Sequence, residues 1–486
     1  MSSIARAGMD SAARAVKSMK GERRQKSEWL PPALLWLVTV MLIVAHQGTV
    51  LTLAFPVLSI AVGFWLYFKA PAKYVGYMWW LWFLSPEVRR FADWSNGMYT
   101  STSPIQIAPL AVSMISGLSL IRFFSALAQR RGLPVLLMLS GIAYAFLVGI
   151  VSNGLLAALY DLANWIYPIL IGFHIMTHWR LYHACRDVIV STFIWGMLVT
   201  GAYGVVQFFF MPPWDVLWMT NAQMNSQGDP VPFGVRVFST MNSSGPFAFV
   251  ILGAMVYVAA AAQRIRWIAS AFGFLSFGLS LVRAAWGGWM IALLIQLVKS
   301  SSRVRLHVIA GGVGLVILAI PVLMVGPIAE RMQTRLQTVV NLGNDQSYVV
   351  RNQFYENFAN MAFTNITGEG LGATGTSTKL SSVDSRLGRY GNFDSGVMNI
   401  PFVLGWPGTL LYVSGMIWIL MRALLISLEL RDDRFATANL SISFGILSML
   451  VFTNSLVSTG GLLFFGSVFS IASAMLWKRS RDGRIS

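Results

Sequence analysis

"RRGLPVLLMLSGIAYAFLVGIV", Arg130 to Val151, is two arginines followed by an apolar run without a single charge. About twenty apolar residues are what a helix needs to cross the ~30 Å hydrocarbon core of a bilayer. Comparable runs recur along the 486 residues, which are 56% hydrophobic and only 11% charged, with 18 Trp and 31 Phe. That composition excludes a soluble domain and predicts an all-α polytopic membrane protein. The runs fall at about 31–46, 49–68, 73–86, 104–124, 133–152, 155–178, 187–211, 244–262, 266–281, 284–298, 306–326, 397–424, 435–455 and 457–478. The third, ninth and tenth are short, so the expectation is about 14 (12–14) transmembrane helices.

The net charge of +17 sits mostly in short segments between these runs. Arg130 and Arg131, Arg180 and Arg186, Arg264 and Arg266, and Lys299 to Arg305 fall in alternate loops, as the positive-inside rule requires of cytoplasmic ones. The charge therefore reports topology, and no nucleic acid is expected as a partner. Residues 1–30 read as a basic cytoplasmic tail, 31–478 as one transmembrane domain and 479–486 as a second cytoplasmic tail. The same threading leaves two sizeable periplasmic loops, at about 212–243 and 327–396.

In the larger loop, "NDQSYVVRNQFYENFANMAF", Asn344 to Phe363, has helical spacing, with Tyr348, Arg351 and Tyr355 on one face and Asp345 placed as an N-cap. Short helices lying on the membrane surface are expected there. The glycine-rich "GEGLGATG" that follows, Gly368 to Gly375, suits tight, closely packed backbone. It lacks the lysine and the preceding strand of a phosphate loop. The single cysteine, Cys185, excludes a disulfide framework, and the nearby His174, His178 and His183 read as interfacial side chains in preference to metal ligands. No metal site and no cofactor are expected.

A different question is raised by "LSLVRAAWGGWM", Leu279 to Met290, where Arg283 interrupts apolar sequence at what should be the outer face. Either the arginine snorkels or pairs with an acid such as Asp161, or it lines a cavity and binds an anion. Arg236 precedes the next outer entry into the membrane, Arg89 and Arg90 precede another span, and Arg351 lies on the loop helix. Guanidinium groups bind phosphate oxygens in bidentate fashion, so several together could hold a diphosphate without a metal.

Taken in order, "FGVRVFSTMNSSGPFAFVILGAM", "LSLVRAAWGGWM", the run from Arg351 to "GEGLG", and "DSGVMNIPFVLGWPGTLLY" resemble segments of the O-antigen ligase and Wzy polysaccharide polymerase superfamily. The resemblance covers roughly the C-terminal half of the chain. It implies a GT-C type, metal-independent glycosyltransferase using undecaprenyl-diphosphate-linked glycans, with Arg236 and Arg283 holding the donor diphosphate. Arg351, Arg89, Arg90, Tyr348, Asn242 and Glu369 become candidate substrate contacts. Ligases of this superfamily carry a His-Asn pair eleven residues before the glycine of an "LGxxG" element. Counting back from Gly405 reaches Asp394, followed by Ser395. Asp394 could act as general base or cap the following helix, with Glu369 and Asp384 as rival bases.

The expectation is an inner-membrane polysaccharide polymerase that joins lipid-linked repeat units by inverting transfer to make exopolysaccharide or O-antigen. Its partners would be the lipid-linked oligosaccharide donor and acceptor, the bilayer, and a chain-length regulator or export protein. The alternatives are a ligase to lipid A-core or protein, and a lipid-linked oligosaccharide transporter or flippase.

Overall fold

The computed structural model describes residues 28–222, 225–300, 302–323, 365–381 and 395–483. Tyr348, Arg351, Asp384 and Asp394, with the helix expected at Asn344–Phe363, lie outside the described residues.

The described chain is almost entirely helical. The first half runs α1 (Leu30–Val44), α2 (Gly48–Lys69), α3 (Pro71–Ser95), the broken helix α4 (Pro104–Arg122), α5 (Leu133–Asn153), α6 (Leu155–Thr177), α7 (Tyr182–Phe210) and the short α8 (Pro213–Asn221). It continues with α9 (Ser244–Tyr257), α10 (Arg266–Leu279), α11 (Arg283–Lys299), α12 (Ser302–Leu323), α13 (Gly396–Glu429), α14 (Arg434–Ser448) and α15 (Ser458–Arg481). Among the described residues, eight helices are long and apolar enough to cross a membrane, and α1 and α9 are apolar but shorter. Helices also occupy the other segments where spans are expected.

The third expected span is longer than its apolar run. Pro86 sits inside α3 without ending it, and the helix carries on to Ser95. Arg89 and Arg90 are therefore helical residues, not loop residues ahead of a span. This corrects the boundary at residue 86.

Helix α15 is the most buried of these eight, with 83% of its most apolar stretch buried, whereas the corresponding share is 28% for α2. It packs on α6 and α14, while α5 packs along α13 and α7 along α10. Leu37, Met41, Val44, Leu53 and Val57 on α1 and α2 stay exposed, as side chains facing lipid do. Inside, some of the polar groups find partners within the protein. Tyr67 and Ser119 hydroxyls lie 3.0 Å apart, and Ser119 shares a 2.8 Å hydrogen bond with His174. His174 is thus a structural histidine, and His183 packs edge-on against Trp477 instead of joining it.

Candidate functional site

The helix α13 is interrupted by Gly405, whose backbone (φ 62, ψ 175) is not helical. A break of this kind leaves carbonyl and amide groups without their helical partners, which membrane interiors tolerate only if other groups replace them. Residues 366–370 of the large loop supply the replacement. The N–H of Glu369 donates to the Phe402 carbonyl at 2.9 Å, that of Gly370 to Val403 at 3.1 Å, and Trp406 N–H donates back to the Ile366 carbonyl at 2.9 Å.

This strap then runs between α5 and α6. Leu371 N–H donates to the Ala145 carbonyl at 3.0 Å, and Asn153 Nδ2 donates to the carbonyls of Glu369 at 2.8 Å and Leu371 at 3.1 Å. The glycines are required by proximity. A Cβ on Gly370 would sit 2.3 Å from the Gly149 nitrogen, and one on Gly368 would sit 2.4 Å from the Gly405 nitrogen. Part of the larger loop, expected as periplasmic, is therefore built into the helix bundle.

Beyond the strap, a cavity of about 410 Å³ opens at the bundle end that carries the expected outer loops. Its volume is in the range of small-molecule sites. Helix α6 contributes Tyr160, Asp161, Asn164 and Trp165, while α3 contributes Trp82 and Ser85. Gln106, Asn242, Thr374, Asn399, Asn454 and Ser458 complete much of the polar wall. Asn399 Nδ2 donates to Thr374 Oγ1 at 3.0 Å, and Asn454 Nδ2 donates to Asn399 Oδ1 at 2.7 Å. The Gly372 N–H donates to Asp161 Oδ2 at 2.9 Å, so the strap meets the cavity at its acid. Amides, hydroxyls and aromatic faces around one carboxylate suit a polyhydroxylated ligand. A separate crevice of 320 Å³ between α9 and α12 is walled by Trp267, Trp289 and Leu293 and is mainly apolar.

The arginines divide into two pairs. Arg90, 1% exposed, is buried among Asp215, Glu87 and the carbonyls of Ser239 and Met241, the last two at 2.7 and 3.1 Å. Asp215 also accepts from Gln207 Nε2 at 2.7 Å, and Gln207 Oε1 accepts the N–H groups of Phe238 and Ser239. Arg89, 3% exposed, donates to the Thr100 carbonyl, pairs with Asp93 at 3.4 Å and lies over Tyr99. Both candidate substrate contacts are instead spent on holding α3 to the outer segments. Glu87 and Asp93, one turn away on the same helix, and Asp215, distant in sequence, claim their donors.

Arg236 and Arg283 behave differently. Both are half-buried. Arg236 donates to the carbonyls of Ser226 at 2.9 Å, Ser280 at 3.4 Å and Leu281 at 3.4 Å. Val237 N–H donates to the Leu279 carbonyl at 3.1 Å, fastening the two segments in register. Leu281 takes a left-handed conformation (φ 54), and α11 starts two residues later with Arg283. The structure thus brings these two arginines to the same turn. Asp161 is engaged by Gly372, and no ion pair joins it to Arg283 among the described residues.

Of the other candidates, Asn242 lines the cavity and accepts from Gln106 Nε2 at 3.4 Å. Glu369 is half-buried in the strap, where its Oε1 accepts from Asn365 Nδ2 at 2.9 Å. Sequence reasoning did not single out Asn164, Asn399, Asn454 or Gln106. Their signal was available, since polar residues inside or at the lip of apolar runs face protein cavities more often than lipid.

No family model matches the chain, and no curated protein matches it.

Proposed function

We propose that this protein is an inner-membrane glycosyltransferase of the polysaccharide polymerase kind, with about fourteen spans, cytoplasmic termini and a periplasmic site. The donor's sugar would occupy the polar cavity and its lipid diphosphate would lie against Arg236 and Arg283. Residues 236–242 link the arginine turn directly to the cavity through Asn242, and this continuity is the observation that carries the reading. Arg283 opens α11, so an anion there would also meet the positive end of that helix's dipole. Trp82, half-buried, offers apolar ring surface to a sugar, while the asparagines offer donors and acceptors.

The test is the glycan made by a deletion strain compared with that of its parent. Single repeat units accumulating on lipid support a polymerase. Full-length chains stranded on lipid point to a ligase, and unchanged glycan rejects both.

A further inference from the structure

We infer that Asp161 is the general base of this site and that the glycine strap is the device that positions it. The inference rests on the glycosyl-transfer reading and assigns it a proton acceptor.

Among the described residues lining the cavity, Asp161 is the one carboxylate. It lies more than a turn inside α6, a helix apolar enough to span the membrane, where an acid is costly and is retained for a use. The strap holds one of its oxygens through the Gly372 N–H, and the strap itself is tied to α5 and α13 by backbone hydrogen bonds. The carboxylate is thereby fixed in direction while its other oxygen is not used by that bond. Geometry is the first requirement of a general base. The other polar groups of the wall, including Asn399, Asn454 and Thr374, can bind sugar hydroxyls but cannot take up a proton near neutral pH.

In the step this implies, the acceptor hydroxyl oxygen bonds to the anomeric carbon of the donor. The bond from that carbon to the diphosphate oxygen breaks, and its electron pair leaves on the lipid diphosphate. The hydroxyl proton passes to Asp161 and from there to water.

The experiment uses the purified full-length protein with lipid-linked glycan extracted from the deletion strain. Asp161→Asn keeps the shape and an oxygen for the Gly372 N–H but cannot accept the proton. Turnover should fall by about 10²–10⁴ while binding of undecaprenyl diphosphate persists. Normal turnover overturns the inference, as does loss of turnover together with loss of diphosphate binding, which marks a purely structural acid. If the asparagine variant does not accumulate, Asp161→Glu decides. It keeps the charge but displaces it by a methylene, so a loss of about 10² is expected and a wild-type rate overturns the inference. An inactive Asp394→Asn beside an active Asp161→Asn moves the base to the loop residue and leaves the polymerase reading standing. A deletion strain with parental glycan removes that reading itself.

Discussion

Arg236 donates through Nη2 to the carbonyl oxygen of Leu281 at 3.4 Å, two residues before Arg283 begins α11. One arginine therefore braces the turn from which the other projects. Replacing Arg236 should harm twice, by removing a guanidinium and by loosening the aim of Arg283.

Arg283→Lys and Arg236→Lys retain charge but lose the planar fork. Each should lower polymer formation by about 10²-fold, the scale for losing a positioned donor at a developing charge. Membrane levels of the Arg283 variant should stay normal. Wild-type product from Arg283→Ala would return that residue to a snorkelling role at the interface.

Arg90→Ala should act on folding. It strands Asp215 and Glu87 in the interior, and breaking a buried pair from one side costs about 3–5 kcal/mol. The expected outcome is a lowered melting temperature and poor membrane accumulation, read by thermal shift of detergent-solubilised protein. A stable but inactive Arg90→Ala would restore it as a substrate contact.

Gly370→Ala and Gly375→Ala separate crowding from backbone strain. Both glycines have positive φ, but a Cβ at 370 would strike Gly149 whereas nothing lies within 4 Å of one at 375. Gly375→Ala should cost about 1–3 kcal/mol. Gly370→Ala should cost more, with release of the strap visible as protease cleavage of the large loop. Equal melting temperatures for the two variants would contradict the packing described for residues 368–372.

Product formation from purified protein should persist in EDTA if, as proposed, the arginine turn and cavity wall supply the cations and amides that a diphosphate and a sugar need. Activity abolished by chelation and restored by magnesium or manganese would replace the arginine clamp with a metal.

Reporters fused after Ser382 should read periplasmic, and those after Arg131 or Arg303 cytoplasmic. A cytoplasmic signal from the large loop would overturn the orientation and the site together.

The helical character was legible because a bilayer imposes length and apolarity locally, so each run such as Leu133–Asn153 declares itself without reference to the rest of the chain. The glycines of residues 368–375 announced close approach, but what they approach, Gly149 and Gly405, depends on tertiary placement that no local pattern encodes. Arg90 shows the same limit. Glu87 is near in sequence, but the ion partner Asp215 is 125 residues away, so the full enclosure of the arginine could not be read in its own neighbourhood. Asp161 was visible only as an acid in an apolar run, and its meaning required the cavity. Asp394, Arg351 and Tyr348 lie outside the described residues; the roles of Arg351 and Tyr348 remain those the family resemblance implies, while Asp394 is the rival to Asp161 that the paired asparagine variants decide.

The interrupted helix has a bearing on biosynthesis. Its exposed carbonyls at Phe402 and Val403 are satisfied by residues about 33 positions earlier, and those residues dock in turn on the α5–α6 pair, made earlier still. Ribosomes deliver a chain from its N-terminus, so each surface leaves the exit tunnel before the segment that settles on it. When α13 enters the lipid with its broken rung, the backbone that mends it has already been translated.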